Sequence, residues 1–294
     1  MYCPRLDHFV RFNSNHTISR CGHMVGAPQF RSFDELETST WLTEIKQKFV
    51  DDVWPDECVR CTEIEKQGNE SIRQYALKLH LQETADDYLQ VGGVLDNICN
   101  AGCLSCNENL STRIGSLKSK TFPIVNNSVK FWQLPQHRIK HLDINGGEPS
   151  YSKNYKKILA NLPPNLKSLR LNTNCSTVLH ELESISAQGI EVTVTVSCDG
   201  IGPVHELVRW PITWETFYKN LMTYKKMPVK LNLWTTVSVL NVDDLANIIE
   251  FAKQHEIDHS YAYLKEPPPL SVGHLDSAET ELYIKEQKML RDIS

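Results

Sequence analysis

The chain predicts an α/β fold, and two patterns carry that prediction. From about residue 88 onward, short runs of β character alternate with runs bearing an apolar stripe at helical spacing. Strands that alternate with helices imply right-handed crossovers and a parallel sheet. Six such units are too few for a closed eight-fold barrel. Residues 86–266 are therefore expected to form an open (β/α)6 arc, a partial TIM-like barrel. Residues 1–85 break the alternation and read as a small, cysteine-rich α+β module. Residues 267–294 read as a helical extension after a Pro-rich turn.

The expected strands are 88–95, 139–144, 166–171, 190–196, 229–239 and 259–264. The run IEVTVTV at 190–196 has the cleanest two-residue period. Helices are expected at 155–162 and at 177–187, the latter stopped by Gly189 in the C′ position. Trp214, Phe217, Leu221 and Tyr224 form one helical stripe, closed by Pro228. Leu245, Ile248, Ile249 and Ala252 form another, with Asn241 as its expected N-cap. In the first module, Asp7–Phe12 and Thr17–Arg20 flank Asn13-Ser14-Asn15-His16 and suggest a hairpin. A helix is expected over 34–50, with Trp41, Ile45 and Phe49 on one side.

Composition narrows the function classes. The chain has 294 residues, 40% hydrophobic and 23% charged, with a net charge of −5. That balance gives no electrostatic argument for nucleic acid or an anionic membrane. The start, MYCPRLDHFVRFN, lacks the apolar core of a signal peptide, and no apolar run approaches the roughly 18 residues that a membrane span needs. A cytoplasmic location is the expectation. Nine cysteines, an odd number with no secretory signal, argue against a disulfide framework and for metal or cluster ligation.

Three of those cysteines, Cys99, Cys103 and Cys106, stand as C-x3-C-x2-C in ICNAGCLSCN. Three thiolates leave a four-coordinate centre with an open position, whereas structural zinc closes with four ligands. Their loop follows the first predicted strand of the arc. Gly146-Gly147-Glu148-Pro149 follows the second strand, Asn-Thr-Asn-Cys175 the third, and Ser197-Cys198-Asp199-Gly200 the fourth. In parallel α/β architectures strand C-termini share the face where ligands bind, so these four loops are expected to converge. Cys3, Cys21, Cys58 and Cys61 make a second set, with a C-x2-C at a helix start.

The C-x3-C-x2-C loop, the GGEP turn and a strand ending in Ser-x-Asp-Gly, in that order on β/α units, resemble the radical S-adenosylmethionine (radical SAM) superfamily. The resemblance spans about residues 88–264. It implies that Cys99, Cys103 and Cys106 ligate three irons of a [4Fe–4S] cluster and leave one iron for the methionine end of SAM. Reductive cleavage of SAM would then yield methionine and a 5′-deoxyadenosyl radical, which abstracts hydrogen from a substrate. Gly146 and Gly147 suit a close approach of main chain to ligand. By resemblance this turn binds the SAM amino group, with Glu148 beside it and Pro149 fixing the exit. Ser197 matches the ribose-binding position, and Thr173 contributes from the preceding strand end. SCDGIGPVHELVR resembles the S-x-D-G…H-x-x-x-R stretch of peptide-modifying members, in which Arg209, near Asp199, would pair with the SAM carboxylate. His205 reads as a structural hydrogen-bonding group. Cys175 and Cys198 read as small buried hydrophobes.

The sequence departs from the family in two ways. Ser105 stands before the third cysteine, where a bulky apolar residue is usual, with Leu104 as a partial substitute. In addition, Cys21-Gly22, Trp41-Leu42 and Pro55-x-x-Cys58-x-x-Cys61-x3-Glu65-x2-Gly68 resemble a Twitch or SPASM auxiliary-cluster module placed before the arc, an arrangement found in some phage radical SAM proteins. A phage source would make the location host cytoplasm. Cys3, Cys21, Cys58 and Cys61 are thus read either as a second iron–sulfur site or as zinc ligands. The resemblance implies a reductant such as flavodoxin or ferredoxin and a peptide or protein substrate. A small metabolite or nucleotide is the alternative, and a non-enzymatic iron–sulfur or zinc protein ranks last, since GGEP and Ser197 would be idle in a carrier.

Overall fold

The computed structural model describes residues 1–83, 87–274 and 278–292. The expected boundary at 85/86, and residues 275–277 and 293–294 of the expected extension, lie outside the described residues. Eight strands, nearly all parallel to their neighbours within each unit, are β1 Phe9–Phe12, β2 Ile18–Ser19, β3 Leu89–Val94, β4 Ile139–Asn145, β5 Ser168–Thr173, β6 Glu191–Ser197, β7 Lys230–Val237 and β8 Asp258–Tyr263. The chain divides into two compact units. The first comprises Met1–Leu95, Asn126–Asn145 and Leu162–Leu166, and the second Asp96–Val125, Gly146–Asn161 and Lys167–Ser294.

In the first unit the strand order is β2-β1-β3-β4. The expected hairpin forms, with Arg11 opposite Ser19 and Phe12 opposite Ile18. It is not self-contained, however: β1 pairs in parallel with β3, Val10 facing Val91. The reason is in FVRF, whose Phe9, Val10 and Phe12 are all buried. A strand apolar on both faces needs neighbours and cover on each, as inner parallel strands have.

The helix expected over 34–50 is two helices, Phe33–Glu37 and Thr40–Val50. The Ser39 side chain accepts the Leu42 N–H and starts the second one afresh. That helix buries Leu42, Ile45 and Phe49, so Leu42 joins the stripe beside Trp41. These pack with Cys3, Leu6 and Cys58 in one apolar core, covered by Met24, Trp41 and Trp54. Each fully buried aliphatic side chain there contributes about 2 kcal/mol by burial. A 3-10 turn, Asp56–Cys58, runs into the helix Val59–Lys66. Ser71 and Gln74 form a capping box for the next helix, Ile72–His80.

In the second unit β5, β6, β7 and β8 pair in order, all parallel. In β6, Val192, Val194 and Val196 are buried while Glu191 is exposed. β5 lies two residues later than predicted, because the polar Asn172 and Thr173 pair with Thr195 and Val196. The following helix starts only at Glu181. Before it, the buried Tyr224 hydroxyl accepts the Leu179 N–H and donates to the Thr177 carbonyl, which removes the need for helical bonds there. Gly189 (φ +83°) ends that helix as expected. Asp244, not Asn241, precedes the helix Leu245–Gln254. The Asn241 amide is engaged elsewhere, donating to the Asp199 and Thr236 carbonyls. Among the described residues no helix is long and apolar enough to cross a membrane.

Candidate functional site

The loop of Cys99, Cys103 and Cys106 has no regular secondary structure, so side chains satisfy its backbone. The buried Asn97 amide donates to the Glu108 and Pro123 carbonyls and accepts the Val125 N–H. Thr112 Oγ1 lies 3.2 Å from the Cys99 nitrogen and 3.3 Å from its carbonyl oxygen. Ser111 donates to the Ala101 carbonyl and caps the helix Thr112–Lys118. Asp96, fully buried, accepts from Ile98 N–H, Ser152 Oγ and Asn154 Nδ2.

The GGEP turn packs directly on this loop. Gly147 N–H donates to the Leu110 carbonyl at 3.3 Å, and Glu148 N–H to the Ile98 carbonyl at 2.8 Å. Gly146 and Gly147 have φ of +85° and +56°. A Cβ on Gly147 would stand 2.6 Å from the Ile98 carbonyl oxygen and 2.7 Å from Asp96 Oδ1, so only glycine fits. The Glu148 carboxylate is 1% exposed and accepts from Ser150 N–H and Oγ, Thr173 Oγ1 and Asn174 N–H. Burial raises its pKa, and those four donors work against the rise. Pro149 is buried.

The turn after β5 reaches the same loop. Asn174 Nδ2 lies 2.9 Å from Asn100 Oδ1 and 4.0 Å from Cys99 Sγ, and Asn100 donates to Ser176 Oγ. The Thr173 hydroxyl is engaged by Glu148 and accepts the Cys175 N–H. Cys175 and Cys198 are fully buried, and their thiols donate to the carbonyls of Phe217 and Gly200. They behave as small buried groups, as expected.

The segment after β6 closes the ring of contacts. Gly102 N–H donates to the Trp210 carbonyl at 2.8 Å and Leu104 N–H to the Val208 carbonyl at 2.9 Å. Arg209 Nε pairs with Asp199 Oδ2 at 2.7 Å, off-line for a hydrogen bond but close as an ion pair. Its Nη1 donates to Cys103 Sγ at 3.6 Å. Ser197 is half-buried, and among the described residues its hydroxyl has no hydrogen-bond partner. His205 is not the hydrogen-bonding group expected: both ring nitrogens are buried without partners. The ring instead packs 4.2 Å from Phe217 and 5.5 Å from Trp214, and burial lowers its pKa to about 3.

The sulfurs suit an anionic polynuclear centre. Burial raises the pKa of all three thiols, that of Cys106 to about 12, so they deprotonate together only beside compensating cations. Cys99 Sγ also accepts the Ala101 N–H, which together with Arg209 puts donors on two of the three sulfurs. Among the described residues no three His, Cys, Asp or Glu side chains are grouped as a single ion would require. In the first unit, Cys3, Cys21, Cys58 and Cys61 line one small apolar cavity. Ser71, Arg73 and Glu65 brace it: Glu65 accepts from Ser71 Oγ and Arg73 Nε, and Arg73 Nη1 holds the Tyr2 carbonyl.

Sequence reasoning named the four loops but missed the side chains that fasten them, Asp96, Asn100 and Asn174. The last two stand within motifs it had singled out, and their polarity at loop positions was the available signal.

The second unit thus presents a thiolate loop tied to three strand-end turns of an α/β fold. No family model matches the chain. It is 27% identical over 205 residues to "Probable GTP 3′,8-cyclase" of Methanosarcina acetivorans, covering 64% of this chain and 59% of that protein. The chain therefore spans about three fifths of that relative's length. Similar solved structures include Streptococcus suis SuiB bound to S-adenosylmethionine (TM-score 0.49, 14% identity, 87% of this chain and 60% of that one). Another is native anSMEcpe with bound AdoMet (TM-score 0.45, 16% identity, 60% and 53%). The sequence likeness supports the radical SAM superfamily, to which the cysteine and GGEP motifs already point.

Proposed function

We propose that the chain is a radical SAM enzyme whose cluster is held by Cys99, Cys103 and Cys106. One observation carries the reading: the cysteine loop is joined by hydrogen bonds to the GGEP turn, the Asn174 turn and the Arg209 segment within one compact unit. Cys99, Cys103 and Cys106 would hold a [4Fe–4S] cluster, which would supply the electron for reductive cleavage of SAM to methionine and a 5′-deoxyadenosyl radical. The chain's own residues position and shield that chemistry. Gly146, Gly147 and Pro149 shape a turn that admits the SAM amino group, and Glu148 locks the turn. Ser197 offers a free hydroxyl to the ribose, while Asp199 and Arg209 bring a buried ion pair to the cluster side. The test is anaerobic reconstitution with iron and sulfide, reduction, and assay for 5′-deoxyadenosine.

Cys3, Cys21, Cys58 and Cys61 are proposed to hold a second, closed iron–sulfur cluster, for which their shared cavity speaks. Zinc is the alternative, and metal analysis of a variant lacking Cys99, Cys103 and Cys106 separates the two. For the substrate we propose a peptide or protein, on the resemblance of residues 1–85 to the auxiliary module. A nucleotide is the second reading, favoured by the likeness to a GTP cyclase. Competition of SAM turnover by peptide pools or by nucleoside triphosphates distinguishes them. A flavodoxin or ferredoxin is the proposed reductant.

A further inference from the structure

The Arg209 guanidinium has two side-chain partners in the structure, Asp199 and Cys103. Its side chain is 12% exposed and that of Asp199 fully buried. Nε sits 2.7 Å from Asp199 Oδ2, and Nη1 reaches Cys103 Sγ at 3.6 Å. Asp199 is itself fixed, since Oδ1 accepts the Thr236 N–H at 2.8 Å and its carbonyl accepts from Asn241 Nδ2. The backbone around the contact is equally fixed. Gly102 and Leu104, on either side of Cys103, donate to the carbonyls of Trp210 and Val208, on either side of Arg209. A two-rung ladder thus holds a cation against one particular sulfur. Arg291 donates to the Gly102 and Leu207 carbonyls, so the carbonyls at this ladder's edge are also satisfied.

We infer that Arg209 is a positioning residue acting on the cluster through Cys103, with Asp199 holding it there, and that it raises the cluster's reduction potential before SAM binds. This rests on the proposed cluster. A cation and a donor at a ligating sulfur stabilise the more negative, reduced state, because net charge and hydrogen bonds to sulfur set such potentials. Asp199 partly neutralises that cation, so the two residues act in opposite senses.

The test is a redox titration without SAM, followed by electron paramagnetic resonance, of the reconstituted wild type, Arg209→Gln, Arg209→Lys and Asp199→Asn. The signal altered when SAM is added afterwards identifies the cluster on Cys99, Cys103 and Cys106. In Arg209→Gln its reduction equilibrium should fall about tenfold, which is about 59 mV for a one-electron couple. Arg209→Lys should lie nearer the wild type, and Asp199→Asn should shift the midpoint upward. An unchanged midpoint in Arg209→Gln with weakened SAM binding would overturn the inference and return Arg209 to the SAM carboxylate. If Arg209→Gln does not retain iron, Arg209→Lys decides: a midpoint below the wild type upholds the inference and an unchanged midpoint overturns it. A wild type that assembles no SAM-sensitive cluster defeats the proposed function instead.

Discussion

The main-chain N–H of Asn174 donates to Glu148 Oε2 at 2.6 Å, tying the turn after β5 to the turn after β4. Asn174 also reaches Asn100 and Cys99 with its side chain. The Glu148 carboxylate thus acts on the cysteine loop through Asn174, as a lock between turns.

Glu148→Ala should therefore destabilise the protein. It leaves the Asn174 N–H and the Thr173 hydroxyl without their acceptor, at about 1–3 kcal/mol for each buried group left unsatisfied. Urea unfolding should show a loss of about 2–5 kcal/mol. A loss under about 0.5 kcal/mol, the scale of an inert surface change, would remove Glu148 from this role.

Gly147→Ala tests the contact between the GGEP turn and the loop. The added methyl meets the Ile98 carbonyl and Asp96, both of which fix the cysteine loop, and the left-handed backbone adds about 1 kcal/mol. Lowered thermal stability together with reduced iron uptake is the expected outcome. Normal uptake would mean that the loop assembles without the turn.

His205 predicts a pH dependence. Its pKa is lowered to about 3 by burial, with Arg209 adding to the effect. Between the ordinary histidine value of about 6.5 and 3, the unfolded chain binds a proton that the folded one refuses, so stability falls as pH falls, by up to about 1.4 kcal/mol per pH unit. Above the upper limit this contribution is complete. Chemical denaturation from pH 7 to 4 should show a shallower slope in His205→Phe, whose ring suits the pocket beside Phe217 and Trp214. Parallel slopes would contradict this.

Cys58→Ser combined with Cys61→Ser should lower iron and sulfide content by about half while leaving the SAM-sensitive cluster in place. Loss of one zinc with iron unchanged would convert the first unit's site to the alternative.

Much of this arrangement is legible in the residues. Periodicity located β6, the helix Trp214–Tyr224 and the four motif loops, because local pattern decides such elements. What escaped depends on contacts between distant residues. β1 joins β3 because FVRF is apolar on both faces, and no local pattern names the partner. The late start of the helix at Glu181 reflects the Tyr224 hydroxyl, over forty residues on. Asn241 looked like a cap but spends its amide on the carbonyl of Asp199. Cys103 and Arg209 were each singled out in the sequence, whereas the contact between them was not.

The central claim is that Cys99, Cys103 and Cys106 carry a SAM-cleaving cluster, and 5′-deoxyadenosine release measures it most directly. The reconstituted, dithionite-reduced wild type should convert SAM to 5′-deoxyadenosine and methionine, and the variant with all three cysteines replaced by Ala should not. Cluster-loaded wild type that leaves SAM intact, or a triple variant that still cleaves it, would contradict the account.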